Sequence, residues 1–574
     1  MDNHLREGDK KAFYVFLLAI SVAMAVNVAY PYLWGPDEPR EAESAREALE
    51  TGNFVIPHLC GLPFLEKPPL YYDMIAAAYK LTGRITPPVA RAVSAGLGAL
   101  MLASVFFFGL KWGGMRRGVL AALILASMPQ FYRYSHWILL DIGVGAFSVM
   151  ALSAFFYWLS WADDEKKKNL ALFIFYLGSL CAFLTKGIVG VFHTAVVTAA
   201  FLFATRRTST MKQLLSSPFI FVFLAPMAVW IYLYYREGGI CYLHEHFVNN
   251  IIGRFIHRHF ELAGCHFYWT DLGNQAPWYF YIQRLPDMFG LALVVLPFAL
   301  WSDVQRLRKG ELAKNNHEPV IFLIIWMILP IALLSFPVIK EVSYVLPSYG
   351  AAAILIAGWL DERLEGVNRL RWEGVSWLFM IILLAASRPI FLGWLHVNVK
   401  TYLVISAVFF LAVIPFMIKA VSKKHFTRLT FLTISMAIGA LVIANTPKVI
   451  LHTRPHLKNK CYMCLANMIK PFLEDKTIYL YKPGDTLRGA IPFYMNKTTY
   501  EIDRPWELCS ALLSNNGVVI MDKDSINDLT IEPPCLLIAL LGNYRIVILP
   551  KMGLDAQYAL LIQDGGAGVW TISK

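Results

Sequence analysis

Thirteen blocks of 17–25 mostly apolar residues run along this chain, at 12–33, 88–110, 117–134, 137–161, 169–185, 187–204, 218–235, 284–301, 319–338, 344–360, 375–395, 402–420 and 428–446. Blocks of that length cross the hydrocarbon of a bilayer as helices, because a helix satisfies its backbone N–H and C=O groups without water. The fold expected is an α-helical polytopic membrane protein with about 13 transmembrane helices. Composition agrees: of 574 residues 57% are hydrophobic and only 16% charged, against roughly 25% charged in soluble domains. Residues 69–82 are apolar but short, and read as a helix lying at the interface. The first block is too long and too poorly flanked for a cleaved signal peptide, so it reads as a retained span.

Charge orients the spans. With the N-terminus cytoplasmic, every inner connection is basic: Arg6, Lys10 and Lys11; Lys111, Arg116 and Arg117; Lys166 to Lys168; Arg206, Arg207 and Lys212; Arg306, Arg308, Lys309 and Lys314; Arg363, Arg369 and Arg371; Lys419, Lys423, Lys424 and Arg428. That is the positive-inside pattern, and it puts the C-terminus outside. The net charge of +12 follows mostly from this bias and gives no reason to invoke nucleic acid.

Three outer stretches are long enough to carry chemistry: 34–87, 236–283 and everything after 447. The chain therefore divides into a transmembrane domain, 1–446, and a soluble domain, 447–574. In the latter, strands read at Thr477–Tyr481, Gly517–Met521, Tyr544–Leu549 and Tyr558–Ile562 and a helix at Trp506–Leu513 indicate a small α/β domain. Seven of the eight cysteines (Cys60, Cys241, Cys265, Cys461, Cys464, Cys509 and Cys535) fall on the outer side, where disulfides are permitted but spacing does not give the pairing. The isolated Cys461-x-x-Cys464 reads as a disulfide or two inert thiols rather than a redox centre.

Charges that the positive-inside pattern does not explain gather on the same outer face. They are Asp37 and Glu38, Glu66 and Lys67, Asp141 inside Ile138-Leu139-Leu140-Asp141-Ile142, Lys186, a His-rich loop with His244, His246, Arg254, His257, Arg258, His259 and His266, and Lys340 to Tyr344. Ionisable groups near hydrocarbon are costly and mark function. A transporter places them near the midplane instead. Lys and Arg make charge-assisted hydrogen bonds to phosphate, and carboxylates orient or deprotonate an attacking group. Such a set fits group transfer from a lipid-borne phosphate. The bland readings are a solvated helix start for Asp37 to Glu50, an interfacial snorkelling lysine for Lys67, an end-of-span lysine for Lys186, solvent-exposed histidines, and an aromatic belt at Trp278 to Tyr281.

These residues also carry a resemblance. Asp37-Glu38-Pro39-Arg40 through Glu47, then Gly52 to His58 and Phe64-Leu65-Glu66-Lys67-Pro68-Pro69-Leu70-Tyr71-Tyr72, resemble the first outer loop of the aminoarabinose transferases. Those are membrane glycosyltransferases of GT-C type, related to the protein O-mannosyltransferases. Gly253-Arg254-Phe255 with Gln275 to Tyr279, and Ser335 to Lys340 with Tyr344-Val345-Leu346-Pro347, are similar to later elements of that family. The resemblance implies transfer of a sugar, 4-amino-4-deoxy-L-arabinose, from undecaprenyl phosphate to lipid A phosphate at the periplasmic face of the bacterial inner membrane. It implies that Lys67, Arg254 and Tyr344, with Lys340 nearby, hold the donor phosphate and that Asp37 and Asp141 are the acidic pair. It also implies a divalent metal beside Glu66 with a histidine partner. The family's Glu-His before Gly-Arg-Phe falls here on Asn249-Asn250, so His244 or His246 a little upstream would have to substitute, His246 being the named candidate, and no strict metal spacing is present. Two rival readings remain: the same donor chemistry on a protein or glycan hydroxyl, and a non-enzymatic lipid or sugar transporter.

Overall fold

The structure is a computed structural model, and it describes residues 28–30, 32–265, 275–290, 292–310, 314–365, 462–470, 477–513, 517–522, 544–550 and 557–563. The spans expected at 12–33, 375–395, 402–420 and 428–446, together with His266, Cys461 and Cys535, lie outside them. The chain divides into two compact units, the first built on 65–74 and 88–453, the second on 31–64, 75–87 and 454–574.

In the first unit, five helices among the described residues are long and apolar enough to cross a membrane, or up to six if one bent pair is a single span. They include Pro87–Gly113, Asp141–Ser160 and Glu165–Lys186. Two apolar blocks are broken. Residues 117–134 form two helices, Met115–Ala126 and Pro129–His136, because Pro129 cannot continue the first helix but is suited to opening the next. The block at 284–301 is split between helices Phe280–Phe289 and Ala292–Lys309. Helix ends are anchored by charge: Arg116 and Arg117 both pair with the buried Asp361, and Arg306 meets Glu362 at 2.5 Å. Between them an aromatic core centred on Phe108, Phe156, Phe322 and Trp326 fills the bundle.

The second unit holds a short antiparallel hairpin, β1 (His58–Leu59) with β2 (Leu62–Pro63), and a five-stranded sheet. The sheet uses β3 (Thr477–Tyr481), β4 (Tyr500–Ile502), β5 (Gly517–Asp522), β6 (Tyr544–Pro550) and β7 (Gln557–Gln563) in the order β4-β3-β5-β7-β6. Its β4-β3-β5 half is parallel and its β5-β7-β6 half antiparallel. Helix Asp485–Met495 crosses between β3 and β4, and helix Pro505–Leu513 between β4 and β5. Helix Asp37–Thr51 packs on Asp485–Met495 so closely that a Cβ on Gly489 would lie 2.3 Å from the Pro39 carbonyl carbon.

Helix Asp37–Thr51 corrects the expectation of a solvated acidic face. Glu38, Glu41, Glu43 and Glu47 are all buried. Arg46 grips Glu43 through two bonds of 2.7 and 2.8 Å and reaches Glu50 and Thr498. Glu47 accepts the Gly61 N–H at 3.1 Å. An acidic helix start was the right element with the wrong environment.

Candidate active site

Lys186 is the last residue of its helix. Gly187 follows at φ 62° and ψ −142°, a conformation open to glycine, and turns the chain into helix Ile188–Ala204. Asp141 is the first residue of the neighbouring helix, where the helix dipole favours an acid. These two ends meet, and the Lys186 ammonium pairs with Asp141 Oδ1. The same ammonium lies 4.8 Å from the centroid of the Tyr344 ring, within cation–π range. Tyr344 itself sits in the 3₁₀ turn Val342–Val345 that opens helix Leu346–Glu365.

A second ionic group faces the same space. Glu66 Oε2 is 3.2 Å from Lys67 Nζ and 2.9 Å from Arg254 Nη2. One carboxylate thus holds two cations side by side. Arg254 follows a ten-residue π-helix, His244–Gly253, a form that occurs mostly as short bulges and often at functional sites. The π-helix is tied down by side chains. His246 Nδ1 bonds the Leu65 carbonyl at 2.8 Å, and Asn249 donates to Glu245 at 2.7 Å while accepting the Phe260 N–H at 2.9 Å. The carbonyl can only accept, so Nδ1 carries the proton. His246 Nε2 is buried and has no hydrogen-bond partner among the described residues.

Glu66, Lys67, Lys186, His246, Arg254 and Tyr344 line one cavity of about 200 Å³, and its remaining wall is mostly apolar. Three cations, a phenol and an apolar flank suit an anion carried on a hydrocarbon chain. Lys67, Arg254, Tyr344, Glu66 and His246 are the residues that sequence reasoning named and that the cavity brings together. Asp141 joins through Lys186. Lys340 does not line the cavity: its ammonium donates to the carbonyls of Ala276 and Pro337, and it is 4% exposed. It fastens a backbone junction in which Ala276 N–H bonds the Val338 carbonyl and Val338 N–H bonds the Phe255 carbonyl. Asp37 belongs to the second unit, where it pairs with Arg40 at 2.7 Å. Lys186 and Asn250 gained less weight from sequence than they hold here. A lysine closing a span is ordinary, and an asparagine in a polar loop carries no signal.

The implied metal finds a poor donor set. Among the described residues no group of three or more His, Cys, Asp and Glu side chains converges. Glu66 and His246 are the two donors on the cavity wall, and Glu66 is already engaged by two cations. A zinc site takes three or four protein ligands, so no step below is routed through a metal.

Residues 11–239 match the family described as "Dolichyl-phosphate-mannose-protein mannosyltransferase". Curated relatives include the "Undecaprenyl phosphate-alpha-4-amino-4-deoxy-L-arabinose arabinosyl transferase" of Pseudomonas savastanoi pv. phaseolicola, 27% identical over 63% of this chain and 64% of the relative. The protein of the same name from Aeromonas hydrophila subsp. hydrophila is 28% identical over 60% of this chain and 59% of the relative. The match thus spans less than two thirds of those relatives' own length. Among solved structures, ArnT from Cupriavidus metallidurans bound to undecaprenyl phosphate superposes with a TM-score of 0.74 at 17% identity, covering 96% of this chain and 98% of that one. Helices, apolar spans and this superposition agree on a polytopic helical membrane fold, and over part of its length the chain is similar to the aminoarabinose transferases and to the protein mannosyltransferase family.

Proposed function

We propose that this chain is a GT-C glycosyltransferase that moves 4-amino-4-deoxy-L-arabinose from undecaprenyl phosphate to a phosphate of lipid A. The observation that carries the reading is the pairing of Lys67 and Arg254 on one carboxylate, facing Lys186 and Tyr344 across a cavity with an apolar flank. The names of the relatives and the lipid bound to the solved ArnT support it. In the reaction, the bond between the anomeric carbon and the carrier phosphate oxygen breaks as an acceptor oxygen attacks that carbon. Charge then grows on the departing phosphate. Lys67 and Arg254 are placed to neutralise it, and the Tyr344 hydroxyl to donate to it. A phosphomonoester has a second pKa near 6, so it attacks as an anion and needs no base. Asp141 is ion-paired with Lys186, which suits an orienting role and so favours a phosphate over a hydroxyl acceptor.

The same reading has thirteen spans, a cytoplasmic N-terminus, and residues 447–574 as a periplasmic α/β domain in the bacterial inner membrane. Basic inner connections support it, as does the Cys241–Cys265 disulfide on the opposite face, since disulfides persist in oxidising compartments. The test is lipid A from a strain lacking its own transferase. Expression of the native chain should add one aminoarabinose mass increment, and Lys67→Ala should abolish it. Full modification with Lys67→Ala would overturn the donor-phosphate assignment. A purified protein that leaves polyprenyl-phosphate sugar unconsumed in detergent with acceptor present would favour the transporter.

A further inference from the structure

We infer that the Cys241–Cys265 disulfide is a positioning device for the donor-phosphate site, so that donor affinity depends on its oxidation; this rests on the reading of Lys67 and Arg254 just given. The bond closes a segment with a sequence separation of 24 between its cysteines, across a Cα–Cα distance of 5.4 Å. Everything the second outer stretch contributes to the cavity lies inside that ring: His246, Asn250, Ile251, Arg254 and Phe255. The segment has several restraints, and the disulfide is the one that closes it into a ring. Its backbone is irregular throughout, with positive φ at Gly239 before the first cysteine, a long π-helix, a left-handed His257, and positive φ at Gly264 before the second.

Toward the end of the π-helix and beyond it, much of the apolar surface is open. Ile252, Phe255 and Ile256 are 51%, 53% and 47% exposed. Its ties to the rest of the first unit include His246 to the Leu65 carbonyl, Val338 N–H to the Phe255 carbonyl, Arg254 to Glu66, His257 to Gln275, and ring contacts of His246 and Phe247 with Trp230. Opening the disulfide releases Cys265 from the helix end at Cys241, so the ring closure is lost and Arg254 is freer to leave its place beside Lys67. The chemistry is simple. An added dithiol gives two electrons and two protons, the S–S bond breaks to two thiols, and the dithiol becomes a cyclic disulfide. The chemical steps at the anomeric carbon use no sulfur, so the effect should fall on donor binding. Pre-organisation lowers the cost of binding, and its loss raises Kd and KM.

The experiment uses the purified full-length protein in detergent, with a short-chain polyprenyl phosphate as the binding probe and transfer as the second readout. Dithiothreitol treatment, with alkylation of Cys241 and Cys265 followed by mass spectrometry, should raise Kd and donor KM about 10-fold while kcat at saturating donor stays within about twofold. Reoxidation should restore both. Cys241→Ser with Cys265→Ser should bind weakly and ignore the reductant, which excludes effects through other thiols. If that variant does not fold, reduction of the native protein still decides, because partial unfolding lowers the number of binding sites and leaves Kd alone. Unchanged Kd with both thiols alkylated overturns the inference, as does a fall in kcat without a change in KM. If the oxidised protein does not bind the probe, or Arg254→Ala binds it equally well, the donor reading itself has failed, and this inference falls with it.

Discussion

In the first unit Glu66 holds Lys67 and Arg254 at the edge of a cavity of about 200 Å³, whereas in the second unit Glu43 and Glu50 close on Arg46 with Thr498. Both clusters are dense in charge and both lie in stretches that look alike in sequence. They differ in what completes them. Every partner of Arg46 named here is a protein group, and Arg46 and Glu43 are almost wholly buried. Burial drives the Glu43 carboxyl well above its usual range and lifts Glu47 with it, against the pull of Arg46. Lys67, Arg254 and Lys186, though ion-paired, line a cavity among the described residues. A network closed on itself holds a fold together, and one that borders a cavity can also meet a ligand.

Exchanging the two roles tests that contrast. The largest effect should come from Arg254→Ala, which removes a cation from the cavity. Transfer should fall by about 10²–10³-fold with the thermal midpoint unchanged, and a matched loss of midpoint would make Arg254 structural. Next is Arg46→Ala in the second unit. Breaking a buried ion pair strands its partner, so stability should drop by roughly 3–5 kcal/mol, read as an earlier denaturant transition. A loss under about 1 kcal/mol would place Arg46 with ordinary surface pairs.

The smallest effect is a pH slope from a single carboxyl. Burial lifts Glu501 to about 7, although Arg488 holds it by bonds of 2.6 and 2.9 Å. The folded chain therefore keeps a proton, between the ordinary carboxylate range and pH 7, that the unfolded chain has released. Its stabilising contribution is complete below that range, declines as pH rises to about 7, and is flat beyond. Melting curves from pH 4 to 8 should show this decline, and Glu501→Gln should remove it. An identical slope in the variant would assign it elsewhere.

Much of the first unit could be read from apolar length, because a bilayer imposes it: Pro87–Gly113, Asp141–Ser160 and Glu165–Lys186 lie where the blocks at 88–110, 137–161 and 169–185 put them. The break at Pro129 was visible as a proline inside an apolar run, but hydropathy averages over it. Lys67 stood out because Glu-Lys-Pro-Pro beside hydrocarbon is costly. His246 was named only through the resemblance, since a histidine in a polar loop is exposed by default, and its bond to the Leu65 carbonyl goes with its burial. The fate of Glu43 and Glu47 depended on Thr498 and Gly61, and no local pattern announces so distant a partner. Pairing of Cys241 with Cys265 was one of several arrangements that spacing allowed.

The junction around Val338 bears on how the protein is made. Phe255 and Ala276 are fastened by Val338, and Tyr344 supplies a wall to a cavity begun by Glu66 and Lys67. At a translation rate of about 5–20 residues per second, roughly 280 residues and about 15–55 s separate Lys67 from Tyr344 on the ribosome. Through that interval Lys67 and Glu66 wait beside the bilayer with half their neighbours unmade. The nascent chain thus makes most of its early helices before the last wall of the cavity exists.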